Sequence, residues 1–125
     1  MEKVIIVTNN DMALEKFKDK HQVEFVDGKL LDVLYKVRDY IHKHHKLLTH
    51  PLMGSIKPNQ TPYKSVALSL KKSDELDIDS LMFIEKSIET AENLIKNKPP
   101  REWPENVLYD FKVIDFDLIY NALNR

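Results

Sequence analysis

The chain of 125 residues contains no cysteine, which removes disulfides, thiolate nucleophiles and cysteine-ligated metal centres together. Glycine is nearly as scarce, with Gly28 and Gly54 the only two. A phosphate-cradling loop or a dinucleotide-binding fingerprint needs several glycines at fixed spacing, so neither motif is present. The longest apolar runs are four residues, such as Val4 to Val7, against the ~20 needed to span a bilayer. The start, Met-Glu-Lys followed by those four residues, is too short for the apolar region of a signal peptide, so a first strand and a cytoplasmic home are expected. Carboxylates are missing from Tyr40 to Ser73, 34 residues that hold six lysines and four of the five histidines. The next stretch reverses the sign: Asp74 to Glu92 carries seven acids and one lysine, Lys86. The two blocks cancel, and the whole chain carries a net charge of -1, so it has no overall basic field for nucleic acid. A cationic block without local carboxylates attracts anions, or else pairs with the acidic block across the fold.

What is present reads as one α/β domain over residues 1–125. KVIIVT (Lys3 to Thr8) is a buried strand, and Thr8-Asn9-Asn10-Asp11 offers capping side chains to a helix over Met12 to Lys20. QVEFV (Gln22 to Val26) alternates like a strand. Asp27 can cap the following helix, whose apolar stripe is Leu30, Val33, Leu34, Val37 and Ile41. Lys46 to Thr49 supplies a third strand and Ser65 to Leu70 a fourth, antiparallel if no helix intervenes. Asp77 caps a long helix with the seam Leu81, Ile84, Ile88, Ala91 and Ile95, ended by Pro99-Pro100. The C-terminal segment fits a helix (Val107, Phe111, Ile114, Leu118) or a strand (Val107, Tyr109, Phe111, Val113), and its Asp and Asn residues favour the helix. Strands alternating with helices imply a three-layer domain with a mostly parallel sheet of about four strands and helices on its faces.

The segment Thr49 to Ser65 shows neither helical nor strand period and holds three of the six prolines. Connections beyond ~12–15 residues are uncommon in compact domains and usually functional or disordered. Leu52, Met53, Ile56 and Tyr63 can anchor this one, and the prolines lower its ordering cost. It leaves the carboxyl end of the third strand, so the Thr8-Asn9-Asn10 turn should share its sheet edge, where open α/β sheets bind ligands. The expected ligand-binding set is therefore Thr8, Asn9, Asn10, Thr49, His50, Ser55, Lys57, Asn59, Thr61, Tyr63 and Lys64. Lys57 would anchor a small anion and His50 would donate a bond or act as acid or base. The competing reading is a proline-braced loop that caps the core.

Other features point to ordinary roles. His42 and His45 share a helix face and, with His44 or His50, could offer imidazoles to a metal, but no carboxylate in the stretch completes a site, so no metal and no cofactor are expected. His21 reads as surface. Asp77 and Asp79 read as helix-start charges, and spacing does not show that Asp115 and Asp117 converge. Trp103, Tyr109, Phe111, Phe116 and Tyr120 form a second core patch or a dimer face. They lack the interleaved cations of a base-stacking platform.

The segment LLTHPLMGSIKPNQTPYKS (Leu47 to Ser65), with TNN at Thr8 to Asn10 and the helix end VRDYIHKHH before it, resembles the GrdX family. These are small proteins encoded with the glycine, sarcosine and betaine reductase systems of amino-acid-fermenting anaerobes. The resemblance implies the cytoplasm of an anaerobe and an accessory role, and it carries no catalytic residues with it. Lack of cysteine agrees, because glycine reductase chemistry runs on thiols and selenols. Three functions follow as expectations. The first is an accessory or regulatory protein binding a small anionic metabolite at the 49–65 loop. The next is an interaction module docking on a reductase component through the acidic helix or the aromatic patch. The last is a small hydrolase or acyl or phosphoryl transferase using His50 and Lys57. Without an assembled catalytic set the balance leans away from an enzyme. A homodimer with twofold symmetry is also expected, and neither nucleic acid nor a membrane is.

Overall fold

The computed structural model describes residues 2–54 and 56–124. Seven elements follow in the order β1 (Val4–Thr8), α1 (Asp11–Phe17), β2 (Gln22–Phe25), α2 (Leu30–His42), β3 (Ser65–Ser69), α3 (Ile78–Asn97) and α4 (Glu105–Leu123). The sheet has the order β2-β1-β3. β1 pairs with β2 in parallel, Ile5 opposite Gln22 through Thr8 opposite Phe25. It pairs with β3 antiparallel, Val4 opposite Ser69 through Thr8 opposite Ser65.

Both faces of the sheet are covered, which is why the central strand is apolar at consecutive positions rather than alternating. Strand geometry sends successive side chains to opposite faces. Ile5 and Val7 join Val66, Leu68 and the α2 stripe on one face, packed with Ile84, Ile88 and Ala91 of α3. Val4 and Ile6 join Ala67 on the other, packed with Ala13 and Phe17 of α1 and Ile119 of α4. All five expected stripe residues of α2 are buried. In α3 the seam is buried at Ile84, Ile88 and Ala91 and partly buried at Leu81 and Ile95.

The sheet differs from the expectation of about four mostly parallel strands: it has three, and it is mixed. Lys46 to Thr49 makes only a single antiparallel bridge, Leu47 to Leu68. The Leu48 N–H still reaches the Ala67 carbonyl at 2.9 Å, and the Ser69 N–H the Lys46 carbonyl at 2.8 Å. The ladder then stops because the Thr49 hydroxyl, not a backbone carbonyl, accepts from the Ala67 N–H at 3.0 Å. On the outer side the Leu47 N–H is taken by Ser80 Oγ at 2.9 Å. Antiparallel to β3, this edge segment runs in the direction of β1. β3 is antiparallel because its connection from the edge segment contains no crossover helix.

Other departures are local. α1 stops at Phe17 instead of Lys20. α2 is capped by Lys29, not Asp27: Asp32 Oδ2 accepts from the Lys29 N–H at 2.8 Å. Asp77 caps α3 as expected, accepting from the N–H of Ser80 at 3.1 Å. The C-terminal segment is a helix, α4. His21 is buried, not surface: its Nδ1 accepts from the Val4 N–H at 3.1 Å, and its ring lies 5.7 Å from Phe17.

Candidate functional site

The carboxyl end of β1 is the polar centre of the molecule. Thr8, Asn9 and Asn10 are all buried there, although such residues are mostly exposed in folded chains. Each is buried because its side chain completes backbone bonding that the ends of strands leave open. Asn9 Nδ2 donates to the Gly28 carbonyl at 3.0 Å and to the Pro62 carbonyl at 2.8 Å, and its Oδ1 accepts from the Lys64 N–H at 2.9 Å. One side chain thus ties together the β1–α1 turn, the β2–α2 turn and the loop that enters β3.

Asn10 works on the opposite face. Its Oδ1 accepts from the Met12 N–H at 3.0 Å and caps α1, while its Nδ2 donates to Asp115 Oδ2 at 3.0 Å and to the Lys112 carbonyl at 2.9 Å. Asp115 Oδ2 also accepts from Ser65 Oγ at 2.7 Å. Ser65 Oγ in turn accepts from Thr8 Oγ1 at 2.7 Å, and Thr8 Oγ1 accepts from the Asn10 N–H at 3.0 Å. This closed chain of hydrogen bonds docks α4 onto the sheet edge. A partly exposed ion pair, Lys112 Nζ to Asp11 Oδ1 at 3.0 Å, flanks it.

Burial pushes the Asp115 carboxyl above the usual range, against the opposing pull of Ser65, Asn10 and Lys64. Burial likewise lowers the ammonium pKa of Lys64, which Asp115 partly offsets. The described ion pairs include neither residue. The void beside them, lined by Tyr63, Lys64, Phe111 and Asp115, measures about 10 Å³. That is room for about one water and no organic ligand. The cluster is therefore a clamp, not a pocket.

A cavity with room for a metabolite lies on the other side of Asn9. It is a groove of about 540 Å³, within the range of small-molecule sites. Its walls are the β2–α2 turn and first helical turn (Gly28 to Leu31), the loop (Pro58, Thr61, Pro62, Tyr63), and Ile95 with Pro100 to Glu102 after α3. Two cations, Lys29 and Arg101, and one acid, Glu102, stand in its lining. A first helical turn leaves its N–H groups without intrahelical acceptors, so Leu30 and Leu31 add donors to that wall. The Arg101 guanidinium is held over the Trp103 ring at 4.6 Å, and Trp103 Nε1 donates to the Gln60 carbonyl at 2.9 Å. The segment after α3 is thereby tied to the loop.

Of the expected ligand-binding residues, the structure brings Asn9, Thr61 and Tyr63 to this groove. Thr8, Asn10 and Lys64 belong to the buried clamp. Thr49 is buried and spent on Ala67. His50 lines a different, smaller groove of about 270 Å³ with Asp77, Asp79 and Phe83, where its Nδ1 accepts from the Leu52 N–H at 3.0 Å. Lys57 is exposed and lines none of the described grooves. Asn59 caps the far end of α3, its Nδ2 donating to the Lys98 carbonyl at 3.2 Å. Ser55 lies outside the described residues. Lys29 and Arg101 were not anticipated. The one signal for Lys29 was that a strand parallel to β1 must end at the same sheet edge. Nothing in the spacing marks Arg101.

The histidines do not assemble. His45 is buried and donates from Nδ1 to the Ser69 carbonyl at 2.8 Å, and no group of three metal-ligating side chains occurs among the described residues. No described helix is long and apolar enough to cross a membrane. The family model of GrdX-like proteins matches residues 5–124, nearly the whole chain, and the chain belongs to that family. Among curated proteins and solved structures, nothing matches the chain.

Proposed function

From its place in the GrdX-like family, we propose that this protein is a non-catalytic accessory protein of glycine, sarcosine or betaine reductase systems. On this reading it binds a small organic anion in the groove beside Asn9. The observation that carries the reading is the position of that groove. β1 feeds α1 onto one face of the sheet and β2 feeds α2 onto the other, so the chain diverges between two adjacent parallel strands. A crevice outside the carboxyl ends at such a divergence is where open α/β sheets bind ligands.

The lining supports an anion as the ligand. Lys29 and Arg101 outnumber Glu102, and the first turn of α2 adds the positive end of a helix dipole. Leu30, Leu31, Ile95 and three prolines offer an apolar bed. Asn9 closes the floor by its bonds to Gly28 and Pro62, so the ligand rests on the staple rather than passing it. Lys57 and His50 stand apart from this wall, so the anion is held by Lys29 and Arg101 instead.

A thermal-shift screen tests the reading, with phosphate, acetate, acetyl phosphate, glycine, sarcosine and betaine against the wild type, Arg101→Ala, Leu31→Trp and Lys57→Ala. A ligand present at ~100 times its dissociation constant adds ~2.7 kcal/mol of stability. The expected result is stabilisation by a carboxylate or phosphate that vanishes in Arg101→Ala and Leu31→Trp and persists in Lys57→Ala. A shift that survives both groove substitutions, or a panel with no stabilising anion, overturns it.

A further inference from the structure

α3 buries Ile84, Ile88 and Ala91 on its inner face, and an amphipathic helix ordinarily presents polar residues on the other. Here the outward face breaks that rule. Ile78 and Met82, one turn apart, are 58% and 65% exposed, and Phe83 is 53% exposed. On the adjoining sheet edge Leu48 is 52% exposed and lines a groove with Phe83. Scattered exposed apolar residues need no explanation, whereas three large ones within two turns of one helix, with a fourth on the sheet edge that the helix borders, do.

Leu48 forms a ridge between two grooves. The first, of about 550 Å³, is lined by Lys3 and Lys71 with Glu2, around Leu70 and Ser69. The second, of about 270 Å³, is lined by Asp77 and Asp79 with Phe83 and His50. The first carries a net positive charge and the second is acidic, so two grooves of opposite sign flank one apolar ridge. The outer backbone of the ridge is not an open sheet edge, because Ser80 Oγ already takes the Leu47 N–H. Pairing here runs through side chains rather than by adding a strand.

We propose that this face is the interface of a homodimer with twofold symmetry, the Leu48 ridges meeting near the axis. An isologous contact requires a patch complementary to itself. This one is: rotation about an axis through the ridge sets the Lys3–Lys71 groove of one copy over the Asp77–Asp79 groove of the other, with Ile78, Met82 and Phe83 closing the apolar centre. A different protein carrying a single sign of charge would meet repulsion on one half of the face, which is why a second copy is the fitting occupant. The contact lies apart from the groove of Asn9 and stands whether or not that groove binds a ligand.

Sedimentation of the full chain across a series from about 5 to about 200 μM, a range that brackets micromolar affinity, tests it. The expected mass rises from 14.7 kDa toward twice that value. Leu48→Glu and Met82→Glu replace exposed side chains, so both should stay monomeric with thermal unfolding unchanged within about 2 °C, since exposed substitutions stay within ~0.5 kcal/mol. Lys71→Glu and Asp79→Lys should each weaken association at least about tenfold, and the double charge swap should restore it, as direct pairing requires. A wild type that remains monomeric throughout gives the patch to another occupant, such as a reductase component, and overturns the proposal. Dimerisation that survives Leu48→Glu and Met82→Glu, or a double swap no better than its single variants, overturns it equally.

Discussion

Replacing Asn9 with alanine removes three hydrogen bonds at once, and the geometry allows their loss to be estimated. The amide donates at 3.0 Å and 2.8 Å and accepts at 2.9 Å, all within good hydrogen-bond range. A typical intramolecular hydrogen bond contributes ~1 kcal/mol net, so the three together amount to ~3 kcal/mol. The site cannot relax cheaply. Lys64 is buried, so its N–H loses its acceptor away from bulk water, and the alanine also leaves space where an amide stood. For a domain whose whole stability is ~5–15 kcal/mol this is a large fraction. At ~4 °C per kcal/mol for a chain of this size, the melting temperature should fall by ~12 °C.

Asn9→Asp separates the hydrogen bonds from the volume. It keeps the acceptor for the Lys64 N–H but sets a carboxylate against the carbonyls of Gly28 and Pro62. At neutral pH it should be at least as destabilising as alanine. A carboxyl that can donate only when protonated has its folded pKa raised above the unfolded value of ~3.9. The folded state then binds more protons than the unfolded state, so the variant regains stability relative to wild type as pH falls toward and below that raised pKa. Urea titrations of all three proteins at pH 7 and pH 5 provide the measurement. An Asn9→Ala variant within ~1 kcal/mol of wild type would refute the staple, as would an Asn9→Asp deficit that does not shrink at pH 5.

Three further substitutions probe other layers. Ile84 of α3 is fully buried in the core that α3 shares with α2 and the sheet, and Ile84→Ala should cost ~3–4 kcal/mol in urea unfolding. Gly54 holds φ at +95°, and a Cβ there would meet Leu118 Cδ1 at 2.8 Å, so Gly54→Ala should cost ~1–2 kcal/mol of stability for the backbone conformation and the displaced leucine, read as a lower urea midpoint. Burial first, then Lys20 and Lys3, depress the His21 imidazole pKa, while its Nδ1 accepts from the Val4 N–H. The unfolded chain takes up that proton first, so this part of the stability is complete above ~6.5 and is lost as pH falls below it. His21→Gln, which can accept the same bond without titrating, should flatten the loss between pH 7 and pH 5 in urea midpoints.

The elements whose apolar positions recur at one period were legible in the sequence. The stripes of α2 and α3, the buried run of β1 and the Asp77 cap all follow from spacing and side-chain chemistry, and they are where the structure puts them. The third strand was not, because Lys46 to Thr49 has strand composition but its pairing is cut short by a single hydroxyl, that of Thr49, which is a tertiary event. His21 failed for the same kind of reason. Its burial depends on the Val4 N–H across the parallel pair, and nothing local marks a buried histidine. The helix over Glu105 to Leu123 was ambiguous since α4 carries apolar residues around most of its circumference, with Tyr109, Ile114 and Tyr120 exposed.

The loop and the TNN turn were rightly expected at one sheet edge, yet the residues that meet there do different work from what composition implies. Polar side chains in a cationic, proline-braced loop look like ligand contacts. Most of them are instead consumed by backbone groups that a long irregular segment over a sheet edge must satisfy. Asn9, Asn10 and Thr8 are spent on Gly28, Pro62, Lys64, Asp115 and Ser65, and Asn59 on the end of α3. Asp115 shows the cost of judging by spacing alone. Two residues from Asp117 it resembles half of a carboxylate pair, but residues two apart on a helix do not share a face. Asp115 turns inward to the clamp while Asp117 stays exposed. The cations that line the groove beside Asn9, Lys29 and Arg101, come from segments that look ordinary when read in isolation. Buried backbone groups of an irregular segment need hydrogen-bond partners, and here Asn and Thr side chains supply them. The density of such residues at an edge therefore measures the needs of the fold before it measures function.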